Sequence, residues 1–178
     1  MSDLAWMQAV VERIEAARSG AAPTEPADGT VRHVVFRAGS GWYALPLTAV
    51  REVLLPRPPL VRVPGAAPAV RGAMNLRGRV VALVELAALL GAADPEATPR
   101  LPSGEPSPAH VVLLAAGGGG LGLLVGAVFG VEPLRSPPGS GGEGPVRGAT
   151  TSERHGATVT VLDPAGLEAR AVALFRTA

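Results

Sequence analysis

The segment 70–91 constrains the fold most, because it places three different local signals next to one another in the chain. Residues 71–78 are rich in arginine and glycine and are typical of a turn. Residues 80–84 form an apolar, partly β-branched run, which predicts a buried strand. Residues 85–90 have helical character, and Gly91 follows them at the position that a helix C-cap prefers. We therefore expect an exposed polar loop, 75–79, between buried elements.

The composition favours a globular chain with many turns. The 178 residues suffice for one domain with a core, or for two small barrels that share one. Hydrophobic residues make up 47% and charged residues 17%, which is typical of globular rather than disordered proteins. The 23 glycines and 18 prolines favour turns over long helices. The absence of cysteine excludes disulfides, thiolate metal sites and cysteine nucleophiles.

Basic residues are concentrated in one span, although the net charge of the chain is only +1. Between residues 51 and 79 there are six arginines and a single acid, Glu52, which gives this span a net charge of +5. Such a span is either a solvated exterior or a contact surface for an acidic partner. A small barrel that binds nucleic acid is an alternative. Barrels of that kind usually carry aromatic side chains for base stacking, and the span has none.

The remaining signals predict a mainly β chain with a helix at each end. Residues 31–47 are typical of a hairpin, and 157–162 of a last strand. A short helix is predicted at 49–54, with Thr48 as its N-cap. Asp163 and Pro164 predict the start of a C-terminal helix that reaches residue 176. Apolar residues at helical spacing predict an amphipathic helix within residues 2–20, joined by a linker that ends at residue 30.

The charge-free run 111–131 is long enough to span a bilayer as a helix. Four consecutive glycines interrupt it at 117–120, and each would cost about 1 kcal/mol within a helix relative to alanine. The favoured interpretation is a hairpin with strands at 110–116 and 121–125. A flexible loop rich in proline and glycine is expected over 136–148.

The motif Asn75-Leu76-Arg77-Gly78, followed by an apolar strand, an acidic residue and Leu86, resembles the signature of CheW-like domains. The opening hairpin, the sequence Val-Arg-Glu-Val at 50–53 and the ending Val-Thr-Val-Leu-Asp at 159–163 resemble that family too, so the similarity extends over 31–175. It implies two small five-stranded SH3-like β-barrels packed together, one at about 31–91 and the other at about 109–165. One departure is Gly126-Ala127, which stands where the family has Asp-Gly.

The resemblance also implies a function. CheW-like proteins are non-enzymatic cytoplasmic adaptors that join the cytoplasmic tips of chemoreceptors to the regulatory domain of a CheA-type histidine kinase. The resemblance implies no cofactor, no metal, no nucleic acid and no direct insertion into a membrane. The receptor-facing residues that it implies are Val50, Glu52, Gly72, Asn75 and Arg77. The kinase-facing residues that it implies are Arg57, Val61, Arg79 and Glu85.

Catalytic signals are weak. The three histidines, His33, His110 and His155, do not have a metal-binding spacing. Ser152, His155 and Asp163 could be named as a triad, but no nucleophile-elbow motif supports them. We therefore expect no catalytic residue in this chain.

Overall fold

The computed structural model describes residues 29–56, 59–92, 110–137 and 144–175. Within these residues the chain forms ten strands and two α-helices. The predicted N-terminal helix at 2–20 lies outside the described residues. The strands are β1 Thr30–Ala38, β2 Gly41–Pro46, β3 Val50–Leu54, β4 Val70–Leu76, β5 Arg79–Glu85, β6 His110–Leu114, β7 Leu121–Val125, β8 Val128–Arg135, β9 Val146–Ser152 and β10 Ala157–Leu162. The helices are α1 Leu86–Leu90 and α2 Pro164–Ala173.

The strands form two five-stranded sheets, which confirms the predicted mainly β architecture. The first sheet has the order β8-β1-β2-β10-β9, and the second has the order β3-β6-β7-β5-β4. The sheets do not follow the expected division at 31–91 and 109–165. Strands β1 and β2 come from the first half of the chain, yet they pair with β8 and β10 from the second half. In chain order, β1 and β2 belong to the first sheet, β3 to β7 form the second sheet, and β8 to β10 belong to the first sheet again.

A shared core lies between the two sheets and the helices, and a smaller core lies on the other face of the second sheet. Strand β5 contributes to both, because alternate side chains of a strand point to opposite faces. Val81 and Leu83 are buried in the smaller core with Met74 and Leu76. Val84 belongs to the shared core. Burial of both faces explains why residues 81–84 form a continuous apolar run. Val80 differs from the prediction: its side chain is 73% exposed.

Two predicted helix caps are confirmed, the C-cap at Gly91 and the N-cap at Asp163. Gly91 follows α1 with a left-handed backbone, at a φ of 71°. Asp163 precedes α2, and its Oδ2 accepts a hydrogen bond from the Gly166 N–H at 2.8 Å. That hydrogen bond, with the neighbouring Arg147 guanidinium, lowers the pKa of the Asp163 carboxyl. The predicted hairpin at 110–125 is also confirmed, as β6 and β7. No helix among the described residues is long and apolar enough to cross a membrane.

Three predictions of local structure are wrong. Residues 49–54 are not a helix, because a 3-10 turn at Leu47–Ala49 is followed by strand β3. A register shift between Val50 and Glu52 places a β-bulge in β3, so Val50 and Val53 are both buried in the shared core although three positions separate them. This spacing resembles that of a helix. The Arg/Gly segment at 71–78 is mostly strand β4, and residues 146–148 of the predicted loop belong to β9.

Side chains join the two outer strands of the first sheet. Glu132 on β8 is buried, and its Oε2 accepts a hydrogen bond from the Ser152 hydroxyl of β9 at 2.7 Å. Its Oε1 lies 2.7 Å from His155 Nε2. Asp163 is bound instead to Arg147, whose Nη2 lies 2.9 Å from Oδ1. Ser152 and His155 therefore contact Glu132 and not Asp163, so Ser152, His155 and Asp163 do not form a triad.

The buried His33 makes stability depend on pH. Its Nδ1 lies 2.7 Å from the Val31 carbonyl oxygen, and burial lowers the pKa of His33 below its usual 6.5. Below about pH 6.5 the His33 side chain is therefore protonated in the unfolded chain but stays neutral in the folded chain. The stabilising contribution of neutral His33 is present above about pH 6.5, and the free energy of unfolding decreases as the pH falls, by up to about 1.4 kcal/mol per pH unit. Urea unfolding at pH 7.5 and 5.5 should show this loss in the wild type and a smaller loss in His33→Gln. Equal losses would contradict the assignment.

Candidate partner-binding site

The turn between β4 and β5 presents Arg77 to solvent. Leu76 and Arg79 pair across the two strands, and the two residues between them have positive φ angles, 52° at Arg77 and 82° at Gly78. Two positive φ angles are typical of a type I′ hairpin turn. The Gly78 N–H donates a hydrogen bond to Asn75 Oδ1 at 2.8 Å. Asn75 and Gly78 thus shape the turn, and Arg77 projects from it with 79% of its side chain exposed.

The backbone at Arg77 is strained. Arg77 is the only described residue other than glycine with a positive φ. A side chain in the left-handed region costs about 1 kcal/mol, because Cβ crowds the following carbonyl oxygen. A strained residue on a solvent-exposed turn is a candidate for function.

Glu52 faces Arg77 from the opposite edge of the second sheet. Its Oε2 lies 3.6 Å from Arg77 Nη2, and 18% of its side chain is exposed. The bulge in β3 places Val50 in the shared core and leaves Arg51 and Glu52 partly accessible. An ion pair with such an exposed partner contributes at most about 1 kcal/mol to stability. Arg77 therefore remains available to a binding partner.

Two further arginines converge next to this ion pair, on the glycine turn between β6 and β7. Arg79 Nη1 donates a hydrogen bond to the Gly118 carbonyl oxygen at 2.8 Å. Arg51 Nη1 donates to the same oxygen at 3.4 Å. A small pocket of about 130 Å³ lies between these side chains and is lined also by Glu52, Arg77 and Gly119. The sequence showed that this region is basic, but it did not show that the arginines meet at one carbonyl.

Three of the five predicted receptor-facing residues reach the surface together. Asn75 and Arg77 are exposed, and Glu52 is partly exposed. Val50 and Gly72 are buried. Gly72 has a φ of 142°, and a Cβ at this position would lie 2.7 Å from the Val61 carbonyl oxygen. Gly72 therefore allows the chain at Val61 to approach β4.

The predicted kinase-facing residues that the structure describes, Val61, Arg79 and Glu85, do not form one patch. Arg57 lies outside the described residues. Arg79 belongs to the pocket, whereas Glu85 lies at the other end of β5, about 20 Å along the strand. There the Arg71 Nε donates a hydrogen bond to Glu85 Oε2 at 2.6 Å. Val61 is 66% exposed and forms a bridge with Ala73.

Val80 is a surface residue that the sequence did not identify. It pairs with Asn75, and Val61 pairs with Ala73, two residues earlier in β4. Paired residues of neighbouring strands project to the same side, so Val61 and Val80 share one face of the sheet. An apolar run alone does not reveal which of its members is exposed.

The site has neither the residues of a metal centre nor those of a base-stacking surface. Among the described residues, no group of three or more histidine, aspartate or glutamate side chains could hold a metal ion. The described aromatic residues are Phe36, Trp42, Tyr43, Phe129 and Phe175, and each lies in the first sheet or after α2. The arginines of the second sheet therefore have no described aromatic partner in their own sheet.

The family profile of the CheW-like domain matches residues 32–171. The chain belongs to the CheW-like domain family. Among solved structures, the crystal structure of the scaffolding protein TtCheW from Thermoanaerobacter tengcongensis is similar, with a TM-score of 0.58 and 20% sequence identity. The match covers 75% of this chain and 89% of that chain, and it supports the same two-sheet fold. A search of curated protein sequences found no match.

Proposed function

We propose that this chain is a non-enzymatic adaptor that couples chemoreceptors to a CheA-type histidine kinase in bacterial chemotaxis. The observation that carries the proposal is the family match over residues 32–171. The similar solved structure is that of a scaffolding protein, which agrees with this role. The site supports it further, because its accessible groups are suited to contact with another protein.

The receptor-facing surface in this proposal consists of Glu52, Asn75 and Arg77. Arg77 has a planar guanidinium with several donors, and Glu52 provides an acceptor beside it. Charged groups of this kind mainly set the register and specificity of a protein contact. Asn75 holds the turn that positions Arg77.

The kinase-facing surface in this proposal is the face that carries Val61 and Val80. Both side chains are mostly exposed; Val61 forms a single bridge with β4, and Val80 lies on β5, on the other side of β4. Neighbouring exposed apolar side chains are a common feature of protein–protein contacts.

The adaptor function can be tested with two purified partners from the same genome, the regulatory domain of a CheA-type kinase and a chemoreceptor tip fragment. Size-exclusion chromatography with light scattering measures the mass of each mixture. We expect a complex with each partner and a ternary complex when all three are mixed. A folded chain that binds neither partner would overturn the proposal.

Replacing Arg77 with glutamate should weaken binding of the receptor tip by about tenfold or more, because the variant places two like charges at the contact. The melting temperature should hardly change, since Arg77 is largely exposed. Titration calorimetry measures the affinity. The exchanged pair Glu52→Arg/Arg77→Glu is the control: it restores an internal ion pair but not the native orientation of the charges. If the exchange restores binding, Arg77 acts through Glu52 and not on the partner.

A further inference from the structure

The two arginines on the glycine turn place their guanidinium groups side by side. Arg51 and Arg79 approach the same Gly118 carbonyl oxygen, so two positive charges lie close together. A neutral carbonyl offsets their repulsion only in part. With Arg77 also at the pocket and Glu52 as its one lining acid, the lining has an excess of positive charge. A bound anion would lower the energy of this arrangement.

The glycine turn provides the space that this arrangement needs. Gly119 has a φ of 78°, which disfavours residues with a side chain. A Cβ at Gly119 would lie 2.8 Å from Arg51 Nη1 and would displace the guanidinium. The turn therefore leaves room for the Arg51 guanidinium, and the apolar part of the pocket lining comes from Leu76, Val81 and Leu113.

Both guanidinium groups keep donors for a ligand. Each has five N–H groups, and each gives one of them to Gly118. The planar fork of an arginine matches the two oxygens of a carboxylate. The pocket volume of about 130 Å³ suits one short side chain rather than a larger molecule.

We propose that this pocket receives an aspartate or glutamate side chain of the chemoreceptor tip, bound by Arg51 and Arg79. This inference rests on the proposed adaptor function and extends its receptor contact beyond Glu52 and Arg77. The occupant is a receptor side chain because the pocket adjoins the Arg77–Glu52 pair and shares both residues as lining. Arg51 and Arg79 thereby add specificity for an acidic receptor sequence.

The test measures binding of the receptor tip fragment at low and high salt to the wild type and to Arg51→Gln/Arg79→Gln. Glutamine keeps polarity and removes charge. We expect about tenfold weaker binding by the double variant at low salt and a shallower salt dependence, because two charge pairs with the receptor are lost. Arg71→Gln is the matched control, since Arg71 is paired with Glu85 away from the pocket, and it should change the affinity less than twofold. Unchanged affinity and salt dependence in the double variant would overturn the proposal.

Substitution in the receptor identifies the bound carboxylate. Each acid of the tip fragment is replaced in turn by its amide and measured against both proteins. Replacement of one particular acid should weaken binding to the wild type and have little effect on binding to the double variant. This non-additivity indicates a direct pair between that acid and the two arginines. If every acid replacement weakens binding to the wild type and to the double variant by the same factor, the proposal that this pocket binds a receptor carboxylate is overturned. A wild type that binds no receptor tip overturns the adaptor function itself, whereas a binding wild type with an unaffected double variant overturns only this pocket.

Discussion

Replacing Val81 with aspartate is expected to destabilise the folded chain strongly. The Val81 side chain is fully buried, within the small core formed with Met74, Leu76 and Leu83. An unpaired carboxylate at such a position is costly, and we expect a loss of about 4 kcal/mol or more in the free energy of unfolding. That loss is large relative to the total stability of a typical domain, about 5–15 kcal/mol. Circular dichroism and a thermal melt measure it.

The neighbouring residue provides the control. Val80 has the same chemistry and lies one position earlier in β5, but it is 73% exposed. Val80→Asp should change the free energy of unfolding by less than about 0.5 kcal/mol and should weaken binding of the kinase domain. Equal melting curves for Val81→Asp and the wild type would show that the face of β5 that carries Val81 is not part of a core.

Features of the fold that depend on neighbouring residues could be predicted from the sequence. Gly91 ends α1 and Asp163 begins α2, because each cap acts within a few residues. The bulge in β3 could not be predicted, since it is defined by pairing with β6, and without it Val50 and Val53 have the spacing of a helix. The pairing of β2 with β10 joins distant parts of the chain and leaves no local signal.

The candidate site, too, could be predicted from the sequence only where its residues lie close together in the chain. The motif predicts an exposed loop here because its residues are close in sequence: Asn75 accepts a hydrogen bond from the Gly78 N–H, and Arg77 and Gly78 have the two positive φ angles of the turn. Arg51 and Arg79 lie 67 and 39 residues from Gly118 in sequence, and the pairing of β3 with β6 and of β5 with β7 brings them to one oxygen. The resemblance also assigned Val50 and Gly72 to a contact surface, and their burial indicates that they support the surface from below.

Gly72→Ala should lower the free energy of unfolding by about 3 kcal/mol, whatever partner the protein binds. Alanine at a φ of 142° is strained, and its Cβ would lie 2.7 Å from the Val61 carbonyl oxygen, which belongs to the backbone and cannot rotate away. The Val61 carbonyl accepts a hydrogen bond from the Ala73 N–H at 2.7 Å, and the Ala73 carbonyl accepts one from the Val61 N–H at 2.8 Å. Relief of the clash would break this bridge. Chemical unfolding measures the loss.

Gly78→Ala is the control that separates two causes of the expected loss in Gly72→Ala, the clash with the Val61 carbonyl oxygen and the strain of a positive φ angle. Gly78 also has a positive φ, but no atom lies within 4 Å of a Cβ built there, so the cost should be only about 1 kcal/mol. If Gly72 instead acts by touching the receptor, Gly72→Ala will unfold at the denaturant concentration of the wild type and lose receptor binding. A large loss of stability, greater than that of Gly78→Ala, would show that Gly72 holds the segment at Val61 against β4, and thereby places Val61 on the same face as Val80.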